Sequence, residues 1–512
     1  MFNYALSNPI SVLLNKPKED FTREDFLKII QEKNIERITF HYTALDGKLK
    51  EMQIPIPGRK NAEIVLTEGE RVDGSSLFKG MIDTALSDLY VVPIWKTAFF
   101  NPFQPASLDF ICRYITADGE LAPFTPDSIL MKASNLFSQY TGLDLHAFGE
   151  MEFYLFYKPD NELYYPLKQR GYHASGPYIK SCGILSELLR IITQILNNVK
   201  YAHSEVGYIE KIKSPVTELN GLSGEQLEIE LLSAPVEEAA DAIVISKWLI
   251  RNIAAKYGMM ATFAPKLEDG VAGNGMHIHL KLIKDGKNAT VDENKELSKD
   301  TYKLIGGLCE FADSLTSFGN RVASSYLRLV PDQEAPTKIC WSSSNRSALI
   351  RIPLGWSKIN NLAKILNPKC PAEPIEVDNM QTVEFRSPDG SANSHLLLAG
   401  ITMAALWGFL NSEQAIEIAN KCKVHGNIFK DKKILETLKS LPDSCASSAK
   451  ILKSKRSFYE FENIFSKSAI DYTISSLEKE NDKNLRKQLS KLKNKERQEK
   501  LKYILHKDLH KN

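Results

Sequence analysis

The stretch Val271–Leu280, VAGNGMHIHL, constrains this chain more than any other. Glycines and an asparagine make a turn, after which Met276, His277, Ile278, His279 and Leu280 alternate with the period of a β-strand. Such a strand sends His277 and His279 to one face and the aliphatic side chains to the other. It therefore belongs in a sheet that is greasy on one side and carries two imidazoles on the other. A single HxH is weak evidence, because a strand histidine is more often a surface or core residue than a ligand. It gains weight because other segments repeat the device with carboxylates.

In chain order, residues 1–20 read as a loose lead-in. Phe21–Asn34 has helical spacing, and Ile35–Tyr42 and Lys48–Ile56 read as strands around the turn Leu45-Asp46-Gly47. Val72–Gly80 is polar and loop-like, and Leu89–Ile94 and Leu108–Ile115 are apolar strands. Together these predict a small α+β unit in roughly the first hundred residues. Pro123–Asp127 punctuates the chain. A helix Ser128–Tyr140 is followed by a strand Leu145–Phe156 with Glu150 and Glu152 on one face. Then come a helix Tyr178–Asn198, a strand Lys200–Tyr208 containing Glu205, the segment Leu227–Leu231 with Glu228, and a helix Ala239–Tyr257. Beyond the HxH strand lie a helix near Tyr302–Phe318, a proline-bounded loop Arg328–Pro336, and strands Ala348–Ile352 and Thr382–Arg386, the last with Glu384 and Arg386 on one face. The chain is mostly helical from Ser394, and the Lys/Glu-rich Ser475–Asn512 reads as a solvated helix or frayed tail.

Composition mainly excludes. A net charge of +2 over 512 residues gives no general reason to expect nucleic acid or an acidic membrane surface. No apolar run reaches transmembrane length, and the N-terminus lacks the pattern of a signal peptide. The seven cysteines are scattered without a CxxC pair, so they read as reduced thiols of a cytoplasmic protein and not as a zinc site.

Glu150/Glu152, His277/His279 and Glu384/Arg386 each place two functional groups on one side of one strand. Side by side, such strands would line a surface with carboxylates, imidazoles and a guanidinium. Carboxylate oxygens with one or two imidazoles suit Mg²⁺ or Mn²⁺ and not a soft metal. Arg328, Arg346, Arg351 and Arg386 all sit in or beside strand-like or proline-bounded segments. Metals with several arginines are what a transferring phosphoryl group requires. No GxxxxGK[ST] or GxSxG is present, so neither a P-loop nor that hydrolase elbow is supported.

These segments, in this order, resemble the bacterial-type glutamine synthetase family. The matching stretches are VDGSS (72–76), GEMEFYLF (149–156), RGY (170–172), HSEVG (203–207), EQLEIE (225–230), GNGMHIHLKL (273–282), YLRLVPDQEAP (326–336), SSNRSALIRIP (343–353) and VEFRSPDGSAN (383–393). The resemblance runs from about residue 21 to about 480. It implies an α+β fold: a β-grasp domain at 21–118, a catalytic domain with a curved antiparallel sheet at 122–475, and a charged helical tail at 476–512. It also implies ATP-dependent ligation of ammonium to glutamate, with two or more Mg²⁺ or Mn²⁺ ions per site; the alternatives are a γ-glutamyl ligase for another amine, such as a polyamine or ethanolamine, and a non-catalytic relative that serves as an assembly. The assembly implied is a homo-oligomer of stacked rings with active sites between subunits.

Residue by residue, the resemblance implies that Glu152, Glu205 and Glu228 hold the metal nearer glutamate, and Glu150, His277 and Glu384 the metal nearer ATP. His279 and Arg346 are implied at the phosphates. Arg328, Arg351 and Arg386 are implied to grip glutamate or the transferring phosphoryl, and Gly273 to lie in the loop touching glutamate. Glu334 corresponds to a flap carboxylate, Asp73 to the residue that deprotonates ammonium in the neighbouring subunit's site, and Ser76, Tyr172 and Glu205 to the rest of that pocket. The chain departs from the family at Ala272, Lys281, Asp332 and Gln333, and lacks basic residues just before the Glu384 strand. Ile209–Ser223 looks like an insertion, and its Glu218 rivals Glu205. No match to an adenylylated tyrosine loop is apparent.

Overall fold

The computed structural model describes residues 4–82, 87–159, 163–330, 335–355, 362–369, 379–426 and 432–511. Among these, two sheets organise the chain. The first holds β1 (Arg37–Thr43), β2 (Leu49–Pro55), β3 (Glu70–Asp73), β4 (Asp88–Pro93), β5 (Phe99–Phe100) and β6 (Ser107–Ile115), in the order β2-β1-β6-β4-β3 with β5 beside β6. β1 and β6 run parallel and the other pairings are antiparallel. Helices Arg23–Glu32 and Arg59–Glu68 bury Phe26, Ile29, Val65 and Leu66 against this sheet. Thr22 and Asp25 close a capping box at the start of the first of these helices.

The second sheet is built from β7 (Asp144–Tyr157), β8 (Val199–Ile209), β9 (Ser223–Leu231), β10 (Ala234–Pro235), β11 (Met260–Thr262), β12 (Met276–Lys284), β13 (Lys287–Asn288), β14 (Trp341–Ser343), β15 (Ile350–Ile352) and β16 (Val383–Phe385). Its main path is β14-β15-β16-β12-β7-β9-β8, antiparallel except for β14 with β15. The period-2 pattern decides its two faces. Met151, Phe153, Ile229, Ile278 and Leu280 point into the core, where helices Pro126–Thr141, Val236–Lys256, Lys299–Gly319 and Ser394–Leu410 cover them. The polar alternates are left on the opposite face. Helix Ser394–Leu410 is apolar nearly all round and buried, as a central core helix must be. No single helix among the described residues is long and apolar enough to cross a membrane.

A buried ion pair fastens the first sheet to helices Val236–Lys256 and Ser394–Leu410, which cover the second. Arg113 of β6 makes two hydrogen bonds to Asp241, at 2.6 and 3.2 Å, and His395 Nε2 lies 3.0 Å from the same carboxylate. Burial would raise the Asp241 carboxyl, but Arg113 and His395 outweigh it and hold it at about 2.

Three sequence expectations are corrected. VDGSS is not a plain loop: Asp73 ends β3 and caps a short helix, Gly74–Leu77, by accepting from Ser75 N. The lead-in contains a helix, Pro9–Leu14, capped by Asn8. The lysine-rich end is not frayed: helices Lys467–Glu478, Leu485–Ser490 and Asn494–His506 dock on the body and bury Leu489, Leu501, Leu505 and Leu509. Its sparse leucines and isoleucines are the anchoring face of an otherwise charged surface. The six described cysteines are free thiols.

Candidate active site

Strand register assembles the site. His277 pairs with Glu150 across β12 and β7, and Glu150 and Glu152 pair with Glu230 and Glu228 across β7 and β9. His203 of β8 lies opposite Glu228, and Glu384 of β16 lies opposite both His279 and Arg351. One polar face thus carries carboxylates, imidazoles and guanidiniums on neighbouring strands, bordering a cavity of about 690 Å³. Glu205 reaches this cavity from a stretch of β8 where the register shifts, between Ser204 and Tyr208. Glu218, its rival, is exposed and does not line the cavity.

At one end, Glu150 bridges two imidazoles: Oε2 lies 2.9 Å from His277 Nδ1 and Oε1 lies 2.9 Å from His279 Nε2. Thr382 Oγ1, 2.9 Å from His279 Nδ1, and the Phe148 ring, stacked on it at 4.5 Å, fix the plane of that imidazole. Glu384 accepts from Arg351 Nη1 at 2.8 Å and Arg386 Nη1 at 2.9 Å. Burial would raise the Glu150 and Glu384 carboxyls, yet both are held below the usual range, Glu150 chiefly by His279 and Glu384 chiefly by Arg386.

At the other end carboxylates crowd together. Here ligand atoms of His203, Glu205 and Glu228, and of Glu150, Glu228 and Glu230, lie within 4.8 Å of one another in each set, as do those of Glu150, His279 and Glu384 at the first end, Glu150 being shared between the two. Burial and then Glu150, Glu152, Glu205 and Glu230 push the Glu228 carboxyl well above its ordinary value. Glu230 is 1% exposed, and its Oε2 accepts no hydrogen bond although Lys200 Nζ lies 2.6 Å from Oε1. Excess buried negative charge with an orphaned oxygen fits hard divalent cations, as does the oxygen-plus-imidazole donor set. Glu152 is instead turned by Gln226 Nε2, at 3.1 Å, and Gly275 N, at 2.9 Å.

The glycines of the turn make room. A Cβ on Gly273 would lie 2.4 Å from Pro265 O, and one on Gly275 would lie 2.7 Å from Arg328 Nη2 and 2.8 Å from His277 Nε2. Backbone therefore borders the cavity here, beside the buried Arg328.

Of the residues singled out in the sequence, Glu150, Glu152, Glu205, Glu228, His277, His279, Glu384, Gly273, Tyr172, Arg328, Arg346, Arg351 and Arg386 all border the cavity. Asp73 and Ser76 do not; they are exposed on the first sheet's unit, where Ser76 Oγ donates to Asp73 at 2.7 Å. Glu334 lies outside the described residues. His203, Glu230, Gln226 and Lys200 were missed. For His203 and Glu230 the signal was present, since each stands two residues from an identified carboxylate on the same strand.

A β-grasp unit joined to a curled, largely antiparallel sheet with this polar face is the architecture of a particular class of ligase. The chain belongs to the glutamine synthetase family: the model for the glutamine synthetase β-grasp domain matches residues 34–117 and that for the catalytic domain matches 124–496. It is similar to the glutamine synthetase of Haemophilus influenzae, with 31% identity over 493 residues covering 88% of this chain and 94% of that enzyme. The Thermotoga maritima glutamine synthetase is 30% identical over 453 residues, covering 84% and 90%. Solved structures of Plasmodium falciparum glutamine synthetase and of a GmaS–ADP complex share the fold. Both have a TM-score of 0.70, with 22% and 20% identity and coverage of 91% and 93% of this chain and 97% and 99% of theirs.

Proposed function

We propose that this chain ligates ammonia to L-glutamate at the expense of ATP, through γ-glutamyl phosphate, giving glutamine, ADP and phosphate. The observation that carries the reading is the division of one cavity into a carboxylate-crowded end and an end where Glu384 is clamped by Arg351 and Arg386. Mg²⁺ or Mn²⁺ would be held by Glu150, His277 and Glu384 and by Glu152, Glu205 and Glu228, with His203, His279 and Glu230 beside them. Ions held there would supply positive charge to neutralise the phosphoryl oxygens during transfer.

The chain's own residues supply orientation and exclude water. His279 and Arg346 address the ATP phosphates, and Arg328, Arg351, Arg386 and the Gly273 backbone hold glutamate so that a γ-carboxylate oxygen faces the γ-phosphorus. That oxygen bonds to phosphorus as the bond to ADP breaks. Glu334, from its match to the family's flap carboxylate, would shield the acyl phosphate from water. Ammonia then attacks the acyl carbon, and phosphate leaves carrying the original carboxylate oxygen. Ammonium must first lose a proton, and Asp73 of a neighbouring copy takes it, with Ser76, Tyr172 and Glu205 completing that pocket. The hydroxyl and amide of Ser75 and the hydroxyl of Ser76 hold the exposed Asp73 carboxyl at about 2. To act as a base it exchanges those bonds for ammonium. This reading implies a cytoplasmic homo-oligomer of stacked rings.

The insertion Ile209–Ser223 supports a small acceptor. Its Ile212 and Leu219 pack into a separate core with Leu509, and none of its described residues lines the cavity. A larger amine is the second reading. Tyr172 and His173 stack at 4.3 Å beside His203, and such a wall would also suit an alkylammonium. ADP release by purified protein with glutamate and ATP tests both readings. Stimulation by ammonium with glutamine as product supports the first, and stimulation only by larger amines replaces it with the second.

A further inference from the structure

The charged C-terminal segment grips the short helix that carries Arg328. That helix, Ala323–Arg328, has six residues, far too few to persist on its own. Its ends leave backbone donors and acceptors that need partners, and the C-terminal segment supplies partners at both. Glu480 Oε2 accepts from Ala323 N at 3.1 Å, placing a carboxylate at the helix N-terminus. Arg486 Nη2 donates to Leu329 O at 2.7 Å and also to Tyr326 O, placing a cation at the C-terminus.

The clamp is itself held from further along the chain. Glu480 is ion-paired with Lys507, at 2.8 Å, and with Lys511. Leu489, Leu501 and Leu505 pack with Leu327 of the same short helix. His506 Nε2 lies 2.8 Å from Leu267 O, and Thr262 Oγ1 donates to Leu509 O at 2.8 Å, so the last turns also brace the loop leading to Gly273. On the cavity side, Arg328 is 4% exposed, its Nη1 donates to Ser387 O at 3.0 Å, and its stem lies where a Cβ on Gly273 would come within 3.2 Å. Arg328 is thus aimed from a helix whose two ends are fixed by the tail.

We infer that the C-terminal segment, through Arg486 and Glu480, is a positioning device that sets Arg328 for glutamate binding. The inference rests on the reading of Arg328 as a glutamate-gripping group. Arg486 and Glu480 touch no substrate. They act through the helix.

The test compares full-length wild type with Arg486→Ala, Arg486→Lys and Glu480→Gln, by amide hydrogen exchange and by steady-state kinetics. The expected result is faster exchange over residues 323–330 in Arg486→Ala and Glu480→Gln, with β7 and β12 unchanged. The KM for glutamate is expected to rise on the order of tenfold or more, with the KM for ATP nearly constant. Arg486→Lys, which keeps one donor cation, is expected to recover part of both. Unchanged exchange over 323–330 in Arg486→Ala would overturn the brace, whatever the enzyme turns over. Faster exchange with an unchanged glutamate KM would overturn the link to Arg328. A wild-type protein that binds no glutamate would instead overturn the proposed function, while the exchange measurement still judged the brace.

Discussion

Glu384 stands opposite Arg351 in the sheet and accepts its Nη1 at 2.8 Å, so a carboxylate only 1% exposed meets the cavity already paired with a guanidinium. Arg386 holds the other oxygen, and His277 Nδ1 lies 3.6 Å from it. Glu384→Ala removes the charge that compensates both arginines. We expect a loss of about 3–5 kcal/mol of stability, loss of tight Mn²⁺ binding, and no phosphoryl transfer. Urea unfolding, Mn²⁺ titration and ADP release check the three. Near-normal turnover would contradict the assignment of Glu384 to the metal set.

Glu205 and Glu218 were rivals for one role, and only Glu205 faces the cavity. Glu205→Ala should lower kcat/KM by on the order of 10³-fold or more, as loss of a metal-ligating or ammonium-binding carboxylate would. Glu218→Ala should leave it within about twofold of wild type, as expected of a surface substitution. Equal effects in the two variants would undo the choice.

Gly275 is tested by one methyl group. Gly275→Ala would press a Cβ against Arg328 Nη2 and His277 Nε2, both within 3 Å of it. The neighbours are side-chain ends that can shift, so we expect the fold to survive at a cost of about 1–3 kcal/mol. Turnover should fall on the order of a hundredfold. Gly58, with no atom within 4 Å of the corresponding position, supplies the control: Gly58→Ala should change neither.

Lys247 predicts a pH dependence. It is 6% exposed, its Nζ donates to Gly390 O at 2.9 Å, and burial, aided by Arg251 and opposed by Asp389, lowers it from 10.5 to about 7. Between those values the unfolded chain binds more protons than the folded one, so this group's contribution to stability rises with pH from about 7 towards 10.5. Relative to Lys247→Met, the wild type should gain on the order of 3 kcal/mol between pH 7 and 10. Urea midpoints of the two proteins across that range measure it, and parallel curves would contradict the account.

Much of this site was legible in the sequence because strands obey a period of two. GEMEF, MHIHL and VEFR each announced which side chains share a face, and register did the rest. The same rule applied to HSE and EIE would have added His203 and Glu230. Arg328 was placed in a loop, since a six-residue helix held at both ends by a distant segment leaves little local signature. The tail was read as helical, but its docking on the body was missed for a related reason. Its few leucines fall short of a periodic stripe, and only the hollow they fill explains them. Gln226 and Lys200 could not be singled out, because their roles come from partners on other strands.

The central claim is that a glutamate oxygen passes to phosphorus. It is tested most directly by supplying glutamate labelled with ¹⁸O in its γ-carboxylate, with ATP and ammonium, and weighing the phosphate released. The account predicts one ¹⁸O in each phosphate formed together with glutamine. Unlabelled phosphate accompanying glutamine would contradict it, since the acyl phosphate would then not lie on the path.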